Sequence, residues 1–241
     1  IMEMSHRSKT YMNVALDAKQ DLKDILKIPE NYEILFLQGG ATHQFSMIPM
    51  NLQQPGYIPV YAQTGHWGTM AKREAERFGP LHVALDTAYQ HYQSIPDVSD
   101  WDMPDNPAYL YYCDNESIHG VEFDRVPSVG DIPLVCDMTA NLMSKVIPID
   151  QFGMIFASAQ KNLGIAGITL VIIREDLLLR QPMERTPQLY QYQQINNKRS
   201  LGNTPSTFSW YMTGLVLQWI KQQGGLSVIE ALAKQKAQLL Y

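Results

Sequence analysis

Phe152-Gly153-Met154-Ile155-Phe156-Ala157 is an apolar run, Ala159-Gln160-Lys161-Asn162-Leu163-Gly164 follows it, and Ile168-Thr169-Leu170-Val171-Ile172-Ile173 is apolar again. Runs that are apolar throughout, instead of alternating, mark strands of a sheet covered on both faces. Lys161 therefore stands at the mouth of two buried strands, beside a glycine. That position suits amine chemistry, and a Schiff base with an aldehyde cofactor is prominent among the reactions that use such a lysine. A surface lysine in a turn is the competing reading.

Outward from this centre, strands and helices alternate. Tyr11, Val14, Ala15, Ala18, Leu22, Ile25 and Leu26 follow helical spacing, closed by Pro29. Strands are expected over 33–37, 57–62, 81–84, 108–113, 134–137, 154–157 and 168–173. Helices are expected over 41–50 and 67–78. Another, after Pro205, would turn Phe208, Tyr211, Met212, Leu215 and Trp219 inward and stop at Gly224-Gly225; a further helix begins at Leu226. The polar stretch Thr186–Arg199 reads as a loop, either a flexible linker or an arm reaching a partner subunit. The pattern predicts an α/β fold with a mostly parallel seven-stranded sheet and helices on both faces.

Composition bounds the class. The chain has 241 residues, 45% apolar and 18% charged, with a formal net charge of −5. That suits a globular protein with a sizeable core and, lacking a basic stripe, argues against a nucleic-acid partner. No apolar run reaches the roughly 18 residues a membrane helix needs. Cys113 and Cys136 lie in apolar runs and read as buried free thiols in a reducing, cytoplasmic compartment. The opening Ile1-Met2-Glu3-Met4 and an end in mid-helical pattern, Ala237–Tyr241, read as a piece of a longer chain.

In open α/β sheets ligands bind beyond the carboxyl ends of the strands. At those ends stand Gly39-Gly40-Ala41-Thr42 opening a helix, Gly65-His66-Trp67, the polar turn Asn115–Gly120 with Ser117, Asp137, Lys161, and Asn203-Thr204-Pro205 opening the late helix. The glycines would let backbone N–H groups approach an anion. Trp67 could stack on a flat ring or pack in the core. Asp137 could meet a cationic ring nitrogen or cap the next segment. Asn-Thr-Pro suits a phosphate and is also an ordinary helix start. Together these residues could hold pyridoxal phosphate, with Asp137 on the ring nitrogen and Lys161 on the aldehyde. No metal-ligand set is expected.

Specific blocks carry a family resemblance. Met4-Ser5-His6-Arg7-Ser8-Lys9, Gly39-Gly40-Ala41-Thr42-His43-Gln44-Phe45, Gly65-His66-Trp67, Tyr112–Phe123, Ala159–Gly164, Val171–Leu178 and Asn203–Phe208 resemble the phosphoserine aminotransferases, class V members of the fold-type-I pyridoxal-phosphate enzymes. The resemblance runs nearly end to end. It implies that Lys161 forms the Schiff base, that Asp137 holds the ring nitrogen, that Trp67 stacks on the ring and that Ser117 bonds the ring hydroxyl. Ala41, Thr42 and Gln160 would bind the cofactor phosphate, with Asn203 and Thr204 supplied by the second subunit of a homodimer. His6 and Arg7 would reach across the dimer to the substrate's phosphate. It also implies a large cofactor domain over 1–225 and, over 226–241, the start of a helix leading to a small C-terminal domain.

Two departures stand out. Asp137-Met138-Thr139-Ala140 replaces the family's Asp-Met-Ser-Ser. The family's N-terminal Gly-Pro-Ala segment and its C-terminal domain, with the arginine for the substrate carboxylate, have no counterpart here. The implied activity is amino transfer between glutamate and 3-phosphohydroxypyruvate, giving O-phosphoserine and 2-oxoglutarate in serine biosynthesis; pyridoxine biosynthesis is a further possible role. Alternatives are another class V aminotransferase, such as the alanine–glyoxylate type, or an incompetent fragment of the fold.

Overall fold

The computed structural model describes residues 1–240. In chain order the elements are α1 (Lys9–Leu26), β1 (Tyr32–Leu37), α2 (Gly40–Leu52), β2 (Ile58–Gln63), α3 (His66–Ala75), β3 (His82–Asp86), β4 (Pro107–Cys113), β5 (Asn115–Glu116), β6 (Val121–Glu122), β7 (Leu134–Asp137), β8 (Met154–Ser158), β9 (Thr169–Arg174), α4 (Glu175–Leu178), α5 (Tyr192–Asn197), α6 (Thr207–Gln222) and α7 (Leu226–Leu240). Seven strands form one sheet in the order β1-β9-β8-β7-β4-β2-β3, and β5 and β6 form a separate small hairpin.

The pairs among β8, β7, β4, β2 and β3 are parallel, whereas β9 runs antiparallel to both β8 and β1. That reversal matters for the site. Ser158 and Leu37 both pair with Thr169, so β9 begins at the edge where β8 and β1 end. The connection 159–168 therefore never leaves the carboxyl edge, and Lys161 stays there. The β7-to-β8 connection joins parallel strands. It is built of turns and a short 3-10 segment, Ile149–Gln151, in place of a crossover helix.

Both faces are covered. Ile155 and Ala157 of β8 pack with α1 and α6, while Met154 and Phe156 pack with α2 and α3. The strand alternation thus feeds two cores, which is why the run is apolar without interruption. Each large side chain removed from water contributes about 1.5–3 kcal/mol.

α1 starts at Ser8, whose hydroxyl accepts from the Tyr11 amide at 3.2 Å, and ends on Lys27 in a left-handed conformation. Its buried face, Tyr11, Ala15, Ala18 and Leu22, meets α6. The face α6 presents is the reverse of the one expected. Ser209, Trp210, Thr213, Gly214, Leu217 and Ile220 are buried, while Phe208, Leu215 and Trp219 are exposed. α6 is apolar nearly all round, so periodicity could not choose a face. Its buried face packs on α1, with Gly214 facing Ala18.

The 186–199 stretch is also no loop. It contains α5, and Tyr192 is fully buried. The Tyr192 hydroxyl donates to Gln44 Oε1 at 2.7 Å, its amide donates to Asn51 Oδ1 at 3.0 Å, and Asn51 Nδ2 donates to the Tyr190 carbonyl at 2.7 Å. Tyr192 and the Tyr190 carbonyl pin the stretch to α2, which removes the flexible-linker reading.

Candidate active site

At the carboxyl edge of the sheet a cavity of about 150 Å3 is bounded by Ala41, Thr42, Trp67, Asp137, Gln160 and Lys161, with Gly40, Thr139 and Ser158 in its wall. Four elements meet there: the start of α2, the start of α3, the end of β7 and the turn after β8.

Gly39 opens α2 at φ +95°, and no side chain caps the helix. A Cβ at Gly39 would collide with the His43 imidazole. The first N–H groups of α2 lack intrahelical partners and sit at the positive end of the helix dipole, which suits an anion. Gly39→Ala is expected to destabilise the fold by about 1–3 kcal/mol through both the backbone and the collision. Thermal unfolding would read this directly, and an unchanged melting temperature would contradict it.

Asp137 ends β7 and is buried. Burial pushes its carboxyl up to about 6. Hydrogen bonds from Thr139 oppose the rise, Glu116's charge adds to it, and the positive charge of Lys161 lowers it. Its Oδ1 accepts from the Thr139 amide at 2.9 Å, so the local turn-capping role is real. Among the described residues no cation lies within ion-pair distance of it. A buried carboxylate left without a cation is the state that a protonated ring nitrogen would relieve.

Lys161 follows β8 in the turn, and its Nζ donates to Ser117 Oγ at 3.2 Å. Gln160 accepts from the Ser158 hydroxyl, and the Ser158 amide donates to Thr139 Oγ1 at 3.2 Å. Thr139 therefore joins β7 to β8 behind the site. The expected residues Ala41, Thr42, Trp67, Asp137, Gln160 and Lys161 are brought together, with Ser117 attached through Lys161.

Four others are not. Asn203 lines a different cavity, with Gln38, His43 and Lys198, and the Thr204 carbonyl accepts from Gln38 Nε2 at 2.9 Å. His6 and Arg7 lie in the turns before α1, with Arg7 exposed. None of these lines the Lys161 cavity.

Glu116 is the main residue the sequence reading passed over. It is fully buried, and its carboxylate accepts from the Trp67 and Gly68 amides at 2.9 and 2.7 Å. The available signal was a helix opening Gly65-His66-Trp67 with no capping side chain of its own. Such a helix needs an acceptor from elsewhere.

The model for aminotransferase class V matches residues 1–241. The chain belongs to the class V aminotransferases. It is 46% identical over 241 residues to a phosphoserine aminotransferase of Ectopseudomonas mendocina, covering 100% of this chain and 66% of the relative. A phosphoserine aminotransferase of Coxiella burnetii is also 46% identical, with 67% of it covered. Among solved structures, phosphoserine aminotransferase from Bacillus circulans subsp. alkalophilus superposes with a TM-score of 0.96 at 40% identity, over 100% of this chain and 66% of that one. A PLP-bound phosphoserine aminotransferase from Trichomonas vaginalis gives 0.94 at 37% identity, with coverage of 100% and 71%. This class V chain thus spans about two thirds of the length of the curated relatives it matches. No helix among the described residues is long and apolar enough to cross a membrane.

Proposed function

We propose that this chain is the cofactor-binding part of a phosphoserine aminotransferase. The observation that carries this is one cavity holding Lys161, a buried Asp137 without a cation and the uncapped start of α2. Those three groups fit the aldehyde, ring nitrogen and phosphate of pyridoxal phosphate. The relatives' names and the 46% identity support the substrate pair glutamate and 3-phosphohydroxypyruvate.

When bound, the cofactor supplies an aldehyde for amine exchange and a ring that takes up the electron pair left as a Cα–H bond breaks. The rest falls to the protein. The backbone amides of Ala41 and Thr42, with Gln160, hold the phosphate. Trp67 would cover the ring and Ser117 would meet its hydroxyl. The Asp137 carboxylate keeps a proton on the ring nitrogen. Lys161 Nζ would hold the cofactor's aldehyde and would take the proton from the substrate's Cα and return it.

His6, Arg7, Asn203 and Thr204 do not reach the cavity of their own chain, and α6 leaves Phe208, Leu215 and Trp219 exposed. These observations support a homodimer in which such residues complete the partner's site. The free buried Cys113 and Cys136 fit a cytoplasmic setting. Of α7 only Leu226 is buried. That supports a boundary near 225, with 226–241 leading to a further domain.

In the intact protein, an absorbance spectrum before and after borohydride, with the reduced residue located by mass spectrometry, tests the cofactor assignment. Labelling anywhere but Lys161 would refute it. Assaying 3-phosphohydroxypyruvate beside glyoxylate tests the substrate, and a preference for glyoxylate would favour the alanine–glyoxylate type. Arg7→Ala is expected to raise KM for the phosphorylated substrate roughly 10–100-fold through loss of charge-assisted hydrogen bonds, with cofactor content unchanged. Loss of cofactor in that variant would move Arg7 into the cofactor site.

A further inference from the structure

We infer that Glu116 is a positioning residue whose buried carboxylate fixes the start of α3 and so sets Trp67 in the wall of the Lys161 cavity.

α3 has no capping side chain at Gly65. Two of its first-turn amides instead go to one residue far along the chain, Trp67 N–H to Glu116 Oε2 at 2.9 Å and Gly68 N–H to Oε1 at 2.7 Å, while the His66 amide donates to His119 Nδ1 at 3.3 Å. Glu116 is 0% exposed. Burial pushes its carboxyl up, and the two backbone hydrogen bonds and the nearby His119 and His66 hold it down. The positive end of a helix dipole and two charge-assisted hydrogen bonds are what make such a buried carboxylate tolerable.

The glycines at the start of α3 serve the same contact. Gly65 has φ 175°, an extended conformation open to any residue, so its backbone does not require glycine. Space does: a Cβ there would lie 2.5 Å from Glu116 Cδ. A Cβ at Gly68 would lie 3.2 Å from Glu116 Oε1. Gly65 is cleared for the carboxylate, and Gly68 for the carboxylate and the Ala62 carbonyl, which lies at the same 3.2 Å.

Glu116 also precedes Ser117, which bonds Lys161 Nζ. Two adjacent residues of the β5–β6 hairpin therefore tie Trp67 and Lys161, on separate elements, to one support. The hairpin is itself anchored. Asn115 Nδ2 donates to Asn141 Oδ1 and to Glu122 Oε2, each at 3.2 Å, and Lys145 bridges Asp114 and Glu122, each at 2.9 Å.

The effect on cofactor binding rests on the function proposed above, whereas the placement of Trp67 is measurable without it. In the cofactor-free intact protein, Glu116→Ala is expected to raise amide hydrogen exchange at Trp67 and Gly68 roughly tenfold, from loss of the cap. With pyridoxal phosphate added, its visible circular dichroism should fall and its Kd rise roughly tenfold. Gly65→Ala should reproduce both effects by pushing the carboxylate away. Isosteric Glu116→Gln keeps one accepting oxygen and should lie between, which guards against an alanine variant that does not fold. Variants that melt lower but keep parental exchange at Trp67 and Gly68 well below their melting temperature would overturn the inference. Parent protein that takes up no pyridoxal phosphate would overturn the function instead, and the exchange result would still decide the role of Glu116.

Discussion

Lys161→Ala is expected to abolish transamination, with a loss of at least about a thousandfold, while the fold survives. The side chain is exposed, and its one hydrogen bond in the structure is the 3.2 Å contact to Ser117. Removing an exposed side chain of this kind changes stability by no more than about 0.5 kcal/mol. The chemical loss is far larger, because the same amine is both covalent anchor and proton carrier; general base catalysis alone is worth about 100- to 10,000-fold. Lys161→Arg is expected to fail equally. A guanidinium keeps the charge and the reach but stays protonated, so it offers neither a nucleophile nor a base. Steady-state rates, borohydride labelling and a melting curve for the three proteins check this together. Turnover in Lys161→Ala above about one hundredth of the parent's would sink the assignment.

The sheet was legible because its strands are written as apolar runs, and an apolar run at a sheet centre has little other use. The carboxyl-edge rule then pointed to Asp137, Lys161 and the Gly39-Gly40 turn, which the structure does gather into one cavity. What stayed illegible depends on contacts between distant residues. The buried face of α6 follows its packing against α1 and not the positions of its largest side chains, which lie on more than one face. α5 is held by Tyr192 meeting Gln44 and Asn51, a polar partnership no periodicity reveals. The reversal of β9 is likewise silent in an apolar run, which reads alike in either direction. Glu116 escaped because it caps a helix that begins some fifty residues before it in the chain.

Asp137→Asn is expected to move stability and activity in opposite directions. In the cofactor-free protein burial lifts the Asp137 carboxyl from 3.8 to about 6. Between those values the folded protein binds a proton that the unfolded chain releases. Stability therefore falls as pH rises from about 4 to about 6 and stays reduced above it. The full effect at neutral pH is about 3 kcal/mol, to order of magnitude. Asparagine cannot ionise, yet its Oδ1 can still accept the Thr139 amide that Asp137 holds at 2.9 Å. The variant should thus be more stable than the parent at pH 7 by up to about 3 kcal/mol and indistinguishable from it near pH 4. Glu116, also raised by burial, contributes a slope of the same sign, and because its charge acts on Asp137 that slope cancels only in part in the difference. Activity should drop by orders of magnitude, because no carboxylate remains to keep the ring nitrogen protonated. Adding pyridoxal phosphate should stabilise the parent more than the variant, since only the parent gains a cation for its buried charge. Chemical denaturation from pH 4 to pH 8, with and without the cofactor, measures each of these. A stability difference between parent and variant that does not change with pH would mean that the Asp137 carboxylate is not held at the expense of folding, and the electrostatic account of this site would fall with it.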